Sequence, residues 1–318
     1  MRKRNLLIAL ALVLALAYVG IAVVTDASTL NGEIKRLGWL GCESVLLLSI
    51  VNYLVRFIRW QGLVDKLGHH LPAKRHLLYY LAGFAFTVSP AKAGETVRSL
   101  YLKNHGVGFS ESLAAFFVER FLDLFAILIL AGFIALDYQP TYRLLTLVIA
   151  VVLAVVLFAV CQMDLPKFII VLAGRCGGPL ARSLNMIAKL LRSSRTLLNP
   201  RSILFGILLG LIAWGAEGVG FGIICHGLQI NGNIWIFIGI YSLSALAGSA
   251  AFFLPAGLGG MEVVMTALLT EQGATVKTSI IATLLCRLTT LWFAVLIGAA
   301  AAAAVGVLDR MTRRALAP

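Results

Sequence analysis

Two glutamate–arginine pairs dominate the chemistry this sequence could perform. Glu95 closes the stretch "SPAKAGE" and Arg120 follows in "FFVERFLDL"; Glu262 closes "LPAGLGGME" and Arg287 follows in "LLCRLTTLW". Glutamate and arginine are 25 residues apart in both. Each glutamate sits at a Pro/Gly break, and each arginine lies deep in the next apolar run. An arginine at bilayer centre costs about 2.5–3.5 kcal/mol on insertion scales and is kept only with a partner. Counted from Glu111 and Lys277, both guanidinium groups lie about 13–15 Å inside their helices, near the midplane. Two roles are open to the pairs. They are ion pairs that pin the broken segments, or they are a site where a substrate phosphate and protons compete for the same partners.

The residues around them point to an anion. Lys92 and Arg98 flank Glu95, while Glu119 and Asp123 share a helix face with Arg120 between them. Gly94, Gly259 and Gly260 permit tight returns and leave backbone N–H groups uncovered. Irregular backbone at membrane depth is tolerated only against protein or water, so each break should line a polar cavity. Helices restarting after Gly94 and Gly260 would aim their N-termini into it, which suits a phosphate. Glu217, a lone carboxylate in "LIAWGAEGVGFG", and Glu119 are candidates for proton coupling; Glu217 equally fits as the partner of a buried arginine. Arg56 and Arg59, beside Tyr53 and Trp60, suit headgroup contact or, as the better reading, anchoring at a membrane interface. His69, His70 and His76 have no acidic or cysteine ligand near them beyond Asp65, and the five cysteines are scattered singly, so no metal, cofactor or disulfide framework is expected.

The elements that must hold these residues are membrane helices. Of 318 residues, 60% are hydrophobic and only 13% charged, and mean hydropathy is +0.94, which excludes an ordinary soluble domain. Apolar runs of about 20 residues place spans near 5–25, 39–58, 112–136, 142–162, 202–225 and 277–307. Runs 77–89 and 234–254 end in the two breaks and read as re-entrant hairpins, although the second is long enough to be a true span. The expected fold is therefore an all-α integral membrane protein, one polytopic domain over 1–318. It has about six spans and two hairpins. Halves 39–162 and 202–307 would be related as an inverted repeat and joined by a basic amphipathic linker, 163–201.

Charge orients this arrangement. The net charge of +13 concentrates in "MRKR", the segment from Arg56 to His76, the linker with Lys167, Arg175, Arg182, Lys189, Arg192 and Arg195, and "RMTRR". With both termini in the cytoplasm every strongly basic segment falls on one side, as the positive-inside rule requires. In a membrane protein such a charge marks cytoplasmic loops and anionic headgroups rather than nucleic acid. The apolar residues Leu180, Leu184, Ile187 and Leu191 recur at helical spacing in the linker.

Taken together, "RFIRWQGL", "SPAKAGETVRSLYL", "FFVERFLDL", "LPAGLGGMEVVMTALL" and "LLCRLTTLWFAVLIG" resemble the lysylphosphatidylglycerol synthase transmembrane-region family of flippase-like membrane proteins. The resemblance covers nearly the whole chain. In bifunctional members this membrane part resembles a flippase while a separate soluble domain attaches the amino acid; that domain is not expected here, and neither is its synthase activity. What the resemblance implies is lipid translocation, carried by Glu95, Arg98, Arg120, Asp123, Glu262 and Arg287. Stand-alone members are similar to proteins of glycolipid, polyprenyl-phosphate sugar or hopanoid pathways. The reading is a bacterial inner-membrane lipid transporter for an anionic, phosphate-bearing headgroup. Its rivals are a membrane-embedded transferase acting on a lipid phosphate and a non-catalytic partner of a glycolipid or polyprenyl-phosphate enzyme. No acidic metal motif, nucleophile–base pair or nucleotide-binding glycine loop favours the transferase.

Overall fold

The structure is a computed structural model that describes the backbone of residues 2–89, 92–137, 140–251, 253–254 and 256–315. Side chains are described for these residues except 2–31, 33–34, 135–137, 140–142, 145 and 309–315. Pro90 and Pro255, expected at the two breaks, and the side chains of the first apolar run, 5–25, lie outside the described residues. All regular structure among the described residues is helical.

From Gly38 onward, two sets of elements share one order: a long helix, a helix ending in a break, a short returning helix, and another long helix. The first set is α1 (Arg2–Lys66), α2 (Ala73–Gly83) with a 3₁₀ turn at Phe84–Phe86, a 3₁₀ turn at Ala93–Val97 leading into α3 (Arg98–Lys103), and α4 (Phe109–Asp137). Next come α5 (Pro140–Gln162), α6 (Leu165–Arg175) and α7 (Gly178–Leu197). The second set is α8 (Pro200–Gly227), α9 (Ile234–Ala250), α10 (Gly260–Glu271) and α11 (Val276–Arg287). A π-helical turn at Leu288–Trp292 joins α11 to α12 (Phe293–Ala315).

Among the described residues, three helices are long and apolar enough to cross a membrane: Lys35–Lys66, Pro200–Gly227 and Val276–Leu308. A fourth arises if α5 and α6, bent by 72°, form one broken span. The helix α4, at 29 residues, is long enough to cross but carries Glu119, Arg120 and Asp123 mid-length. The expected amphipathic linker is two helices. Its basic, amphipathic part is α7, whereas α6 ("LPKFIIVLAGR") is largely apolar. Asp164 ties the two together, pairing with Lys167 at 2.8 Å and with Arg195 at 3.2 Å.

The axis of the fold is the antiparallel pair α1/α8. Lys66 donates to the Ser202 hydroxyl at one end, Asn52 donates to the Ala213 carbonyl (2.9 Å) in the middle, and Leu37 packs on Gly227 at the other end. Both broken segments are helical hairpins that return to the end they came from. In the first, Gly83 lies against Glu95, and further down Tyr79 stacks on Tyr101 with ring centroids 5.2 Å apart. In the second, Gly248 lies against Gly257 and Met261, and Gln272 donates to the Asn231 carbonyl (3.4 Å). The first hairpin opens beside the Lys66/Ser202 end, where His69 meets Glu111 at 2.9 Å. The second opens beside the Leu37/Gly227 end, where His226 meets the Gly232 carbonyl at 3.1 Å. They therefore enter from opposite ends of the α1/α8 pair, and their tips meet near its middle.

Local chemistry makes each tip. Lys92 adopts φ 53° in the first, and the Ser89 hydroxyl closes it by donating to the Phe86 carbonyl (2.8 Å) and accepting from the Gly94 N–H (2.5 Å). In the second, Ala256, Gly257 and Gly259 take φ 52°, 65° and 91° in turn. A Cβ on Gly257 would stand 2.2 Å from the Gly248 carbonyl oxygen, so only glycine fits there.

Each hairpin packs on the final long helix of the other set. The first lies on α12, where a Cβ on Gly298 would meet the Ala85 nitrogen at 2.2 Å; the second lies on α4, where a Cβ on Gly239 would meet the Ile134 nitrogen at 2.7 Å. Two apolar clusters back this exchange, one around Ile134, Phe221, Phe237 and Met265, the other around Trp60, Tyr80, Leu102 and Leu122. Gly298→Val should overpack the seam and cost about 1–3 kcal/mol, seen as a lower thermal midpoint in detergent. Gly306→Ala, on the same helix with nothing within 4 Å, should leave the midpoint unchanged or raise it, since alanine favours the helix by about 1 kcal/mol.

Candidate functional site

The two hairpin tips and five long elements enclose a cavity of about 260 Å³. The helix α1 supplies Tyr53 and Arg56, α4 supplies Arg120 and Asp123, α8 supplies Trp214 and Glu217, and α9 supplies Tyr241. The tips bring Thr87, Lys92, Glu95, Ala256 and Gly257, and α11 with the π-turn brings Arg287, Thr290 and Leu291. Asn52 and Tyr53 fall halfway along the α1/α8 pair, so the cavity lies about 20 Å from either end.

One wall is a network of four arginines and three carboxylates. Glu119, fully buried, lies 3.2 Å from Arg98, 3.3 Å from Arg120, 3.8 Å from Arg56 and 4.0 Å from Arg59. The Tyr80 hydroxyl donates to it at 2.7 Å. Asp123 accepts from Arg59 and from the Trp214 indole (2.9 Å), and its other oxygen lies 3.5 Å from Arg120 and 3.8 Å from Arg56. Glu95 binds Arg98 at 3.2 Å and the Thr87 hydroxyl at 2.7 Å, with Arg120 3.8 Å away. Aromatic faces complete the solvation of the cations. The Arg98 guanidinium sits 4.1 Å from the Trp60 ring, and Arg56 sits 5.5 Å from Trp214.

The opposite wall is sparser. Arg287 donates to Glu262 at 2.7 Å, to the Met261 thioether at 3.2 Å and to the Ala256 carbonyl at 3.3 Å. Glu217 accepts from the Tyr241 hydroxyl. Lys92 holds its ammonium 5.8 Å from the Trp214 ring and, among the described residues, makes no ion pair. The Nη2 atoms of Arg56 and Arg120 are buried without a hydrogen bond inside the protein, as are Glu119 Oε2 and Asp123 Oδ2, although all four take part in the ion pairs above. Four cations, Arg56, Lys92, Arg120 and Arg287, thus line the cavity against three carboxylates, Glu95, Asp123 and Glu217.

The structure brings together Arg56, Lys92, Glu95, Arg120, Asp123, Glu217 and Arg287 on one cavity. Arg59, Arg98 and Glu119 stand behind its wall, and Gly94 supports the first tip. Gly259, Gly260 and Glu262, at the head of α10, do not line the cavity, and Glu262 pairs with Arg287, which does. Several expectations need correcting. Arg56 and Arg59 are 5% and 3% exposed, so they are network members and not interfacial anchors, because Glu119 and Asp123 draw them inward. Glu217 faces a tyrosine hydroxyl where an arginine partner was open to it. At each helix restart one N–H is already taken, that of Gly259 by Glu262 at 2.7 Å and that of Gly94 by Ser89. The charged groups that face the cavity are side chains. The histidines scatter to separate partners, Glu111, Asp65 and the Trp60 indole.

Thr87, Trp214 and Tyr241 escaped the sequence reading, and Tyr53 was read only as an interfacial neighbour of Arg56. Trp214 stands three residues before Glu217 on one helix face, and Tyr241 is the one hydroxyl-bearing ring in "IWIFIGIYSLSA"; both spacings carry the signal.

The chain matches the family described as lysylphosphatidylglycerol synthase TM region over residues 6–298. It belongs to that family. The membership, with the membrane-crossing helices above, makes it a multi-pass membrane protein linked to lipid metabolism. The matched part is the family's transmembrane region, which contains every residue of the cavity. No curated protein matches the chain.

Glu119→Gln should be the most damaging single change in the network. It leaves four guanidinium groups around a neutral amide, and breaking a buried pair costs about 3–5 kcal/mol. Glu217→Gln keeps the acceptor for Tyr241 and should cost less than about 1.5 kcal/mol. Thermal midpoints and size-exclusion profiles of the two variants check the order.

Proposed function

We propose that this protein moves a lipid with an anionic, phosphate-containing headgroup between the leaflets of the bacterial inner membrane. The observation that carries the proposal is the meeting of two hairpin tips, entering from opposite ends, at one cationic cavity at mid-depth. Arg56, Arg59, Lys92, Arg98, Arg120 and Arg287 outnumber Glu95, Glu119, Asp123, Glu217 and Glu262 by one there, and the Nη2 atoms of Arg56 and Arg120 are held by ion-pair contacts of 3.3–3.8 Å rather than by hydrogen bonds. A phosphate takes up such donors in bidentate fashion.

The repeated element order and the opposed hairpins support an inverted repeat, the architecture in which transporters alternate access to a midplane site. Each hairpin, resting on the other half's last helix, would open one face while the other stays closed. The lipid tails stay in the hydrocarbon, since drawing them through water would cost about 0.8 kcal/mol per CH₂. Only the headgroup needs the cavity. Glu217, hydrogen-bonded to Tyr241 across from Lys92, is the group placed to couple a proton to this movement. Glu119, hydrogen-bonded to Tyr80 and ion-paired with Arg98 behind the wall, acts as the charge anchor.

Purified protein in liposomes should exchange a fluorescent anionic phospholipid between leaflets without altering it chemically. Arg120→Ala and Arg287→Ala should each slow exchange about tenfold or more, the equivalent of one lost charged hydrogen bond at about 1.5–3 kcal/mol. Full exchange in both, or a chemically changed lipid, would exclude this function. The orientation is tested in cells with single cysteines on a cysteine-free background. Asn231→Cys should react with an impermeant thiol reagent from the periplasm, whereas Asn104→Cys and Ser193→Cys should react only after the membrane is opened.

A further inference from the structure

A second, larger hollow lies outside the central cavity, between α10 and α11. It measures about 840 Å³, and its lining includes Glu262, Thr266, Ala267, Thr270, Val276 and Thr283. Glu262 lines this groove and Arg287 lines the central cavity, and the two are joined at 2.7 Å. The ion pair is therefore the partition between the two spaces. We propose that the α10/α11 groove is a second lipid-binding site, a lateral vestibule for the phosphate-bearing lipid, and that its headgroup reaches the central cavity by displacing Glu262 from Arg287. The inference rests on the transport reading above and adds the route.

Three observations carry it. First, the groove is mostly apolar, as lipid tails require: Val263 and Val276 are exposed along it beside Ile280 and Leu284, while Thr266, Thr270, Thr283 and the carboxylates Glu262 and Glu271 make its polar side. Second, the polar seam between α10 and α11 is made of hydroxyls. Thr266 meets Thr283 at 3.3 Å and Thr270 meets Ser279 at 3.3 Å, long contacts that part more easily than interlocked apolar side chains. Third, Arg287 is weakly held apart from Glu262. Its remaining contacts are a thioether and one carbonyl at 3.3 Å, so a phosphate offers it better acceptors than it has. The leaving carboxylate keeps a partner, because Glu262 also accepts the Gly259 N–H at the head of its own helix. The partition can open without stranding either group.

The test places a benzophenone side chain at Ala267, in the groove, and at Val307, a lipid-exposed position on α12, in protein reconstituted with labelled phosphatidylglycerol. Capture at Ala267 should be competed away by unlabelled phosphatidylglycerol about tenfold better than by phosphatidylcholine or by glycerol phosphate, while capture at Val307 should not discriminate. Arg120→Ala should keep this selective capture while losing leaflet exchange, which separates failure of the vestibule from failure of the central site. In a cysteine-free background, Thr266→Cys with Thr283→Cys should form a disulfide across the seam and slow exchange about tenfold, with recovery on reduction. Equal competition by the two lipids at Ala267, displacement by glycerol phosphate alone, or full-rate exchange with the disulfide closed would overturn the vestibule.

Discussion

The charged network at the middle of the α1/α8 pair is organised by one anion, the Glu119 carboxylate. It is fully buried, and four guanidinium groups from three different elements converge on it within 4.0 Å. Removing a charge from water costs several kcal/mol per ion even after relaxation, so such a group survives only when its surroundings return that energy through geometry. The requirement fixes the relative height of α1, α4 and the first hairpin. Arg56 and Arg59 must lie one turn apart on α1, Arg98 must come back from the tip, and Arg120 must follow Glu119 directly. Slipping any of them by a turn would strand a charge.

This explains why the two halves of the molecule are not equal in character. The first half carries the dense network, with Arg98 enclosed by Trp60, Tyr80 and Phe116. The second brings to the cavity the pair Glu262–Arg287, backed by a run of hydroxyls along α10 and α11. A rigid wall thus faces a looser one across the cavity. The looser wall is also the one with consecutive left-handed residues at Ala256 and Gly257 and with the outer groove behind it.

Much of this was legible in the sequence because charge inside an apolar run is so costly that it announces itself. Glu95, Arg120, Asp123, Glu217 and Arg287 were picked out on that ground, and they share one cavity. The two breaks were legible from glycine and charge. What was not legible is three-dimensional pairing. Arg56 and Arg59 read as a helix-end pair beside Tyr53 and Trp60, and nothing local says that Glu119, sixty residues on, turns them inward. Likewise Glu262 reads as the twin of Glu95, yet it caps α10 from outside the cavity, because its return helix begins at Gly260 where the first hairpin returns through a 3₁₀ turn. The span at α4 was legible despite Glu119, Arg120 and Asp123, but the partners that let those three charges lie mid-helix were not.

The π-turn after Arg287 sets the angular phase of the whole last span. A π-turn holds one more residue than an α-turn, so everything beyond Trp292 is rotated by about 100° relative to a straight helix continuing from Arg287. The carbonyls of Thr289 and Thr290 accept the hydroxyls of Ser49 (2.9 Å) and Tyr53 (2.8 Å), so α1 holds the irregular turn in place. Arg287 can then face the cavity while Gly298, on the rotated part, offers its bare backbone to the first hairpin. Upstream and downstream residues of this span belong to two different helical wheels. A comparison of family members that treats the span as one regular helix would assign the lipid-facing and protein-facing sides of α12 to the wrong residues.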